Sequence, residues 1–194
     1  MRNDDLATLP PDLPVPVDDG ATDHLKGTVV PTIELVSTDG DRVRLDDREA
    51  PRTVVFAYPR TGRPDEDFPG GLDAWNAIPG ARGCTPQACA YRDRFDGFEA
   101  LGVRVFGLST QSTDYQREAV ERLHLPYALL SDDTLRFAGA LNLPRFEHAG
   151  LTLLKRHTLV IDRGRIEHVL YPVFPSDRDA ETVLAWLHGE AAPA

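Results

Sequence analysis

The chain has 194 residues, 41% hydrophobic and 27% charged, with a net charge of −10 at pH 7. That length allows one domain with a real core, and the acidic balance argues against a nucleic-acid binder, which needs a basic face, and against an anionic membrane surface. No apolar run approaches the roughly 18 residues a membrane-spanning helix requires, and Met1 to Leu6 lack the basic and apolar stretches of a secretory signal, so the expected location is cytoplasmic.

Residues 1–22 are rich in proline and aspartate and read as an extended or flexible arm. One domain is expected over 23–190. Its first elements are a β-prone run, Val29 to Val36, a turn at Thr38-Asp39-Gly40-Asp41, and a short partner strand, Arg42 to Leu45, which together make a hairpin. Arg52 to Tyr58 is apolar enough for a central strand buried on both faces and ends at Pro59. A Gly- and Pro-rich stretch at about 60–82 predicts a long inserted loop, unusual inside a compact domain and often functional, with Trp75 and Ile78 as its anchors.

A helix is expected over about 86–101, with Ala88, Tyr91, Phe95, Phe98 and Leu101 on its core face. Val103–Ser109 reads as a strand, Ser112 or Thr113 opens a helix to about Leu123, Tyr127–Leu130 is a short strand and Asp133–Leu141 a short helix. The strands His157–Ile161 and Ile166–Tyr171 flank the turn Asp162-Arg163-Gly164-Arg165, a second hairpin. Arg178–His188 closes the chain as a helix, and 189–194 read as a frayed end. Strands alternating with helices imply an α/β layer structure, and the closing hairpin requires antiparallel pairing, so the sheet is mixed.

The cysteines are Cys84 and Cys89, in Gly83-Cys84-Thr85-Pro86-Gln87-Ala88-Cys89. Thr85 is expected as N-cap and Pro86 at the first helical position. A thiol at a helix N-terminus faces unpaired N–H groups and the positive end of the dipole, which favour the reactive thiolate. Three chemistries compete with the reading that both thiols are merely small buried apolar groups. A metal site lacks ligands, since His24, His124, His148, His157, His168 and His188 show no close spacing, and no metal or other cofactor is expected. Dithiol exchange of the thioredoxin kind uses a two-residue spacer, whereas four residues intervene here. The third is a peroxidatic thiol oxidised to a sulfenic acid and resolved by a second thiol. On a helix, residues i and i+5 lie about 140° apart with a rise of about 7.5 Å, and a disulfide needs Cα atoms roughly 4.4–6.8 Å apart. An 84–89 bond therefore requires local unwinding.

Val54-Val55-Phe56-Ala57-Tyr58-Pro59, followed by Gly83-Cys84-Thr85-Pro86-Gln87-Ala88-Cys89-Ala90-Tyr91-Arg92-Asp93, resembles the peroxiredoxins, and most closely their bacterioferritin-comigratory-protein, or peroxiredoxin Q, branch. Val105–Ser109, Leu125–Asp132 and Arg156–Asp162 carry the resemblance on, and it spans about Gly27 to Leu187. It implies a thioredoxin-like three-layer fold, a mixed central sheet flanked by helices, with an N-terminal β-hairpin extension. It also implies a thiol-dependent peroxidase acting on hydrogen peroxide and small organic hydroperoxides. Cys84 would be peroxidatic, Cys89 resolving, and Arg156 the arginine that favours the thiolate and holds the peroxide oxygens. A thioredoxin-type dithiol would be the reductant, and the protein a monomer or homodimer. Without the resemblance, Arg156 reads as a surface strand residue.

One departure concerns peroxide binding. The family usually places Pro seven and Thr three residues before the cysteine; here those positions are Ala77 and Ala81. Either Pro59 and Thr61 take those roles across the insertion, with Gly83 completing the substrate site, or the hydroxyl is missing and backbone N–H groups and Arg156 bind the peroxide. Two other functions stay open: a redox-responsive binding protein with little turnover, and a protein thiol–disulfide oxidoreductase.

Overall fold

The computed structural model describes residues 6–189; the expectations for residues 1–5 of the arm and for 190–194 lie outside them. The hairpin of β1 (Glu34–Ser37) and β2 (Arg42–Arg44) is present, and β1 also pairs antiparallel with β5 (Leu129–Ser131). At the centre lies β3 (Thr53–Ala57), parallel to β4 (Arg104–Ser109) and antiparallel to β8 (His157–Asp162), which pairs with β9 (Arg165–Leu170). The seven strands run β2-β1-β5-β4-β3-β8-β9, a mixed sheet as the element order implied.

Every residue of β3 is buried, and its side chains alternate between two cores. Val54 and Phe56 enter one with residues of α2 (Cys84–Asp93), α3 (Phe95–Ala100), α4 (Thr113–Leu123) and α6 (Asp179–Leu187). Val55 and Ala57 enter the other with Phe137 and Ala138 of α5 (Arg136–Ala140) and with Leu25, Val30, Leu35 and Leu45 from the N-terminal segments. Phe56 stacks on Tyr91 of α2 with centroids 4.3 Å apart, which fixes α2 against the centre of the sheet.

The structure corrects the sequence reading at several points. The helix expected over 86–101 is two: Arg94 leaves helical geometry (φ −117°, ψ 12°), and α3 starts afresh behind it. Gly97 of α3 lies where a Cβ would come within 3.3 Å of Leu184, so the bare backbone there lets α3 lie close to α6. Leu101, past the end of α3, is exposed rather than in the core. Thr85 is not the N-cap. Gly83 takes that place at φ 104°, and Cys84 is the first helical residue; a Cβ on Gly83 would come within 2.2 Å of the Ser176 hydroxyl, so only glycine fits.

A short helix and a hairpin were not anticipated. Within the inserted stretch, α1 (Leu72–Asn76) carries Trp75, fully buried and stacked on Phe68 at 5.2 Å. After α5, β6 (Arg145–His148) and β7 (Leu151–Leu154) form a separate hairpin. Trp75, Phe68, Ala81 and Leu153 make a small third core, joined by Leu6 of the arm and by Ile78, so the insertion is packed down onto that hairpin. The arm continues along the same side, and its Asp19 accepts hydrogen bonds from Lys155 and Tyr171.

His157, at the start of β8, is fully buried. Its Nδ1 bonds the Lys155 carbonyl and its Nε2 has no partner, so charging the ring would bury an unpaired N–H; burial lowers its pKa to about 4. With the folded value below the unfolded 6.5, the unfolded chain binds the extra proton. Stability is therefore full above about pH 6.5 and is lost as pH falls towards 4. The expected loss at pH 5 is about 2 kcal/mol, because each pH step between the unfolded and folded values costs about 1.4 kcal/mol. Urea unfolding of wild type and His157→Asn at pH 8 and pH 5 checks this: most of the difference between the two pH values should disappear in the variant, whose amide Nδ2 can donate to the Lys155 carbonyl in place of the ring.

Candidate active site

Three segments converge at one end of the sheet. β3 runs out there into Tyr58-Pro59-Arg60-Thr61. The antiparallel register pairs Ala57 with His157, so Arg156 lies at the same end, just before β8. The first turn of α2 brings Cys84 to that end.

Cys84 is 4% exposed and Arg156 3%. Arg156 Nη2 donates to Cys84 Sγ at 3.2 Å. The rest of the guanidinium is held by the insertion's last residues: Nε donates to the Gly80 carbonyl, and Nη2 to those of Ala81 and Arg82, each at 3.2 Å. Nη1 donates to Gln87 Oε1. Arg156 is thus a buried cation against the sulfur, and the reading of it as a surface strand residue fails. The thiol donates to the Ala81 carbonyl at 3.6 Å. Burial of a guanidinium is tolerated because each of its nitrogens meets an acceptor.

Gln87 and Asp179 belong to this constellation and were not singled out from the sequence. Gln87 is fully buried, and its Nε2 donates to Asp179 Oδ2 at 2.7 Å. The same oxygen accepts from the Tyr91 hydroxyl at 3.0 Å and the Thr158 hydroxyl at 2.7 Å. Burial pushes the Asp179 carboxyl up, against these three donors and the nearby Arg156. Ser176, in the turn before α6, donates to the Gly83 carbonyl at 2.9 Å and pins the residue that caps α2. Gln87 lay on a helix read for its apolar face, and Asp179 resembled any acidic residue in a first helical turn, where the dipole favours one.

Pro59, the first of the remaining candidates, is buried beside the end of β3. Thr61 is 1% exposed, and its hydroxyl donates to Gln111 Oε1 at 3.1 Å, as does its backbone N–H at 2.9 Å. Ala81 has its side chain in the small third core and its carbonyl on Arg156 and Cys84. Beside Cys84 lies a void of about 10 Å³ lined by Leu6, Arg60, Gly62, Phe68, Trp75 and Thr85, close to the room one water needs. Cys89 is five residues along α2 and not bonded to Cys84. It is half-buried, and burial raises its thiol pKa more than Arg92 lowers it. It opens on a polar cleft of about 330 Å³ with Asp93, Arg94, Arg178 and Glu181 on its walls. No helix among the described residues is long and apolar enough to cross a membrane.

Comparison with known proteins agrees with this geometry. The model of the Redoxin family matches residues 25–184. Peroxiredoxin Bcp of Escherichia coli K12 is 30% identical over 169 residues, covering 85% of this chain and 96% of its own. The chloroplastic peroxiredoxin Q of Gentiana triflora is 28% identical, over 84% of this chain and 66% of its own. Among solved structures, peroxidoxin BcpB of Mycobacterium tuberculosis superposes with a TM-score of 0.68 at 28% identity, covering 86% of this chain and 98% of that one. The bacterioferritin comigratory protein of Xanthomonas campestris, at 16% identity and a TM-score of 0.64, shares the fold. With a buried cysteine at a helix start, an arginine on its sulfur and a mixed sheet behind them, the chain belongs to the Redoxin family, in the Bcp and peroxiredoxin Q branch of the peroxiredoxins.

Proposed function

We propose that the protein is a thiol peroxidase in which Cys84 attacks the peroxide and Cys89 resolves the product. The observation that carries this is the Arg156 guanidinium, buried and hydrogen-bonded to the Cys84 sulfur at 3.2 Å. A guanidinium fixed there is placed to meet the oxygen on which charge develops as the O–O bond breaks. The Cys84 sulfur bonds to the distal oxygen, the O–O bond breaks, and the leaving oxygen takes a proton as water or an alcohol. The sulfenic acid left on Cys84 then accepts attack by the Cys89 sulfur with loss of water, and an external dithiol of the thioredoxin type reduces the disulfide by exchange. The void beside Cys84 has room for about one water, so hydrogen peroxide and a small organic hydroperoxide alike require its lining, Leu6 included, to give way. Gly83 lines that void, while the Thr61 hydroxyl is bonded to Gln111 and would have to turn from it to reach a peroxide.

Resolution requires the start of α2 to unwind. Cys84 and Cys89 lie in one continuous helix, where a five-residue separation holds the sulfurs apart. Opening it breaks the Ser176–Gly83, Gln87–Asp179 and Tyr127–Ala88 hydrogen bonds. Pro86, which lacks an N–H and resists a helical residue before it, lowers that cost.

Mass spectrometry under non-reducing conditions, after one equivalent of hydrogen peroxide, is the test. The expected product is a peptide cross-linked between residues 84 and 89. A sulfenic acid persisting on Cys84 beside a free Cys89 removes the resolving role, and an unmodified Cys84 removes the peroxidase reading.

A further inference from the structure

The hydrogen bonds around Arg156 continue beyond the residues that face the substrate. Arg156 meets Gln87 Oε1 and Gln87 Nε2 meets Asp179 Oδ2. A side-chain amide has a donor end and an acceptor end, and which way it points is decided by its neighbours. On one side of Gln87 is a guanidinium, which only donates. On the other is a carboxylate oxygen that already accepts from Tyr91 and Thr158. Turned over, the amide would set NH₂ against the guanidinium and C=O against the carboxylate, two repulsive contacts in a buried site shut off from bulk water.

We propose that Asp179, at the start of α6, is a positioning residue for the peroxidatic centre: it locks the rotation of the Gln87 amide, and Gln87 in turn aims the Arg156 guanidinium at the Cys84 sulfur. This rests on the peroxidase reading above. The geometry serves the purpose in either charge state of the carboxyl, because Oδ2 is the acceptor in both and Oδ1 has no partner that would turn the group round. It also separates two functions of α6. The helix packs its apolar residues Ala180 and Val183 into the core, while Asp179 reaches past them to three donors on α2 and β8.

Asp179→Asn is the discriminating substitution. It keeps volume and shape but can turn its NH₂ to the place of Oδ2, where the Tyr91 and Thr158 hydroxyls can accept from it and Gln87 Nε2 loses its acceptor, so the amide is held from the Arg156 side alone. The readout is the second-order rate of Cys84 oxidation by hydrogen peroxide in a single turnover, with the Cys89 labelling rate by an alkylating agent measured beside it. The expected result is a loss of about tenfold in Cys84 oxidation, the scale of one hydrogen bond to a charged group, with Cys89 labelling unchanged. In a Gln87→Met background, which has no amide to orient, the same substitution should change the Cys84 rate by less than about twofold. The proposal is overturned if Asp179→Asn oxidises as fast as wild type, if its effect is as large with Gln87→Met as without, or if Cys89 labelling accelerates in step, which would mark general loosening of α2. A wild-type Cys84 that does not react with peroxide would instead sink the peroxidase reading itself, so the two failures are distinguishable.

Discussion

Cys84→Ser is expected to reduce peroxide consumption to the uncatalysed background, a loss of about 10⁴-fold or more. The change removes the sulfur and little else: the serine hydroxyl can still accept from Arg156 and donate to the Ala81 carbonyl, so the pocket and the fold should survive. Cys89 is no substitute. It sits half-buried in the second turn of α2, where burial raises its thiol pKa, and Arg156 is on Cys84 instead. Cys89→Ser should behave oppositely, with a normal first oxidation of Cys84 and failure only of the disulfide. Following peroxide loss with a thioredoxin-type reductant in excess, and separately in a single turnover without it, distinguishes the two variants. A Cys84→Ser protein that retained the wild-type rate would be incompatible with any role for this sulfur in the chemistry.

Much of this site was legible because its chemistry follows local rules. A thiol between a glycine and a Thr-Pro pair reads as a reactive helix start, and the start is there, two residues earlier than a threonine cap predicts because Gly83 adopts φ 104°. The continuous apolar run at 52–58 marked a central strand buried on both faces, and its side chains enter two cores. Arg156 was found only through its match to a family pattern. Its significance lies in contacts with Gly80, Ala81, Arg82 and Cys84, more than 70 positions away, and no periodicity encodes such a contact. Gln87 and Asp179 were missed for the same reason, each resembling an ordinary helix residue until the two helices meet.

The missed β6–β7 hairpin has a narrower cause. Its turn is Ala149-Gly150, both at positive φ (49° and 78°), a conformation usually announced by Asn-Gly or Asp-Gly. Alanine gives no such sign. The helix α1 is five residues long and begins at Gly71 with no side-chain cap, so neither length nor capping marks it. Its stability comes from Trp75 entering the third core, a tertiary effect that the sequence records only as an aromatic residue in a glycine-rich stretch.

Arg156→Met is expected to slow the oxidation of Cys84 by about 10²–10³-fold, the usual cost of removing one preorganised donor at a centre of developing charge. Methionine roughly keeps the length of the side chain and removes the charge and all five N–H groups. Arg156→Lys restores a charge but not the fork: an ammonium cannot serve Gln87, three carbonyls and the sulfur together, so its rate should fall between methionine and wild type. Both variants leave the carbonyls of Gly80, Ala81 and Arg82 short of a donor, at about 1–3 kcal/mol for each group that finds no water, so thermal unfolding should show destabilisation, larger for methionine. The kinetic loss must therefore be measured at a temperature where circular dichroism shows the variant folded. If folded Arg156→Met oxidises within about threefold of wild type, the guanidinium is a structural clamp for the insertion and the peroxide is activated elsewhere. The graded order, wild type above lysine above methionine, is what a group that both charges and orients the site must produce, since a clamp acting only on residues 80–82 would leave the Cys84 rate indifferent to which cation remained.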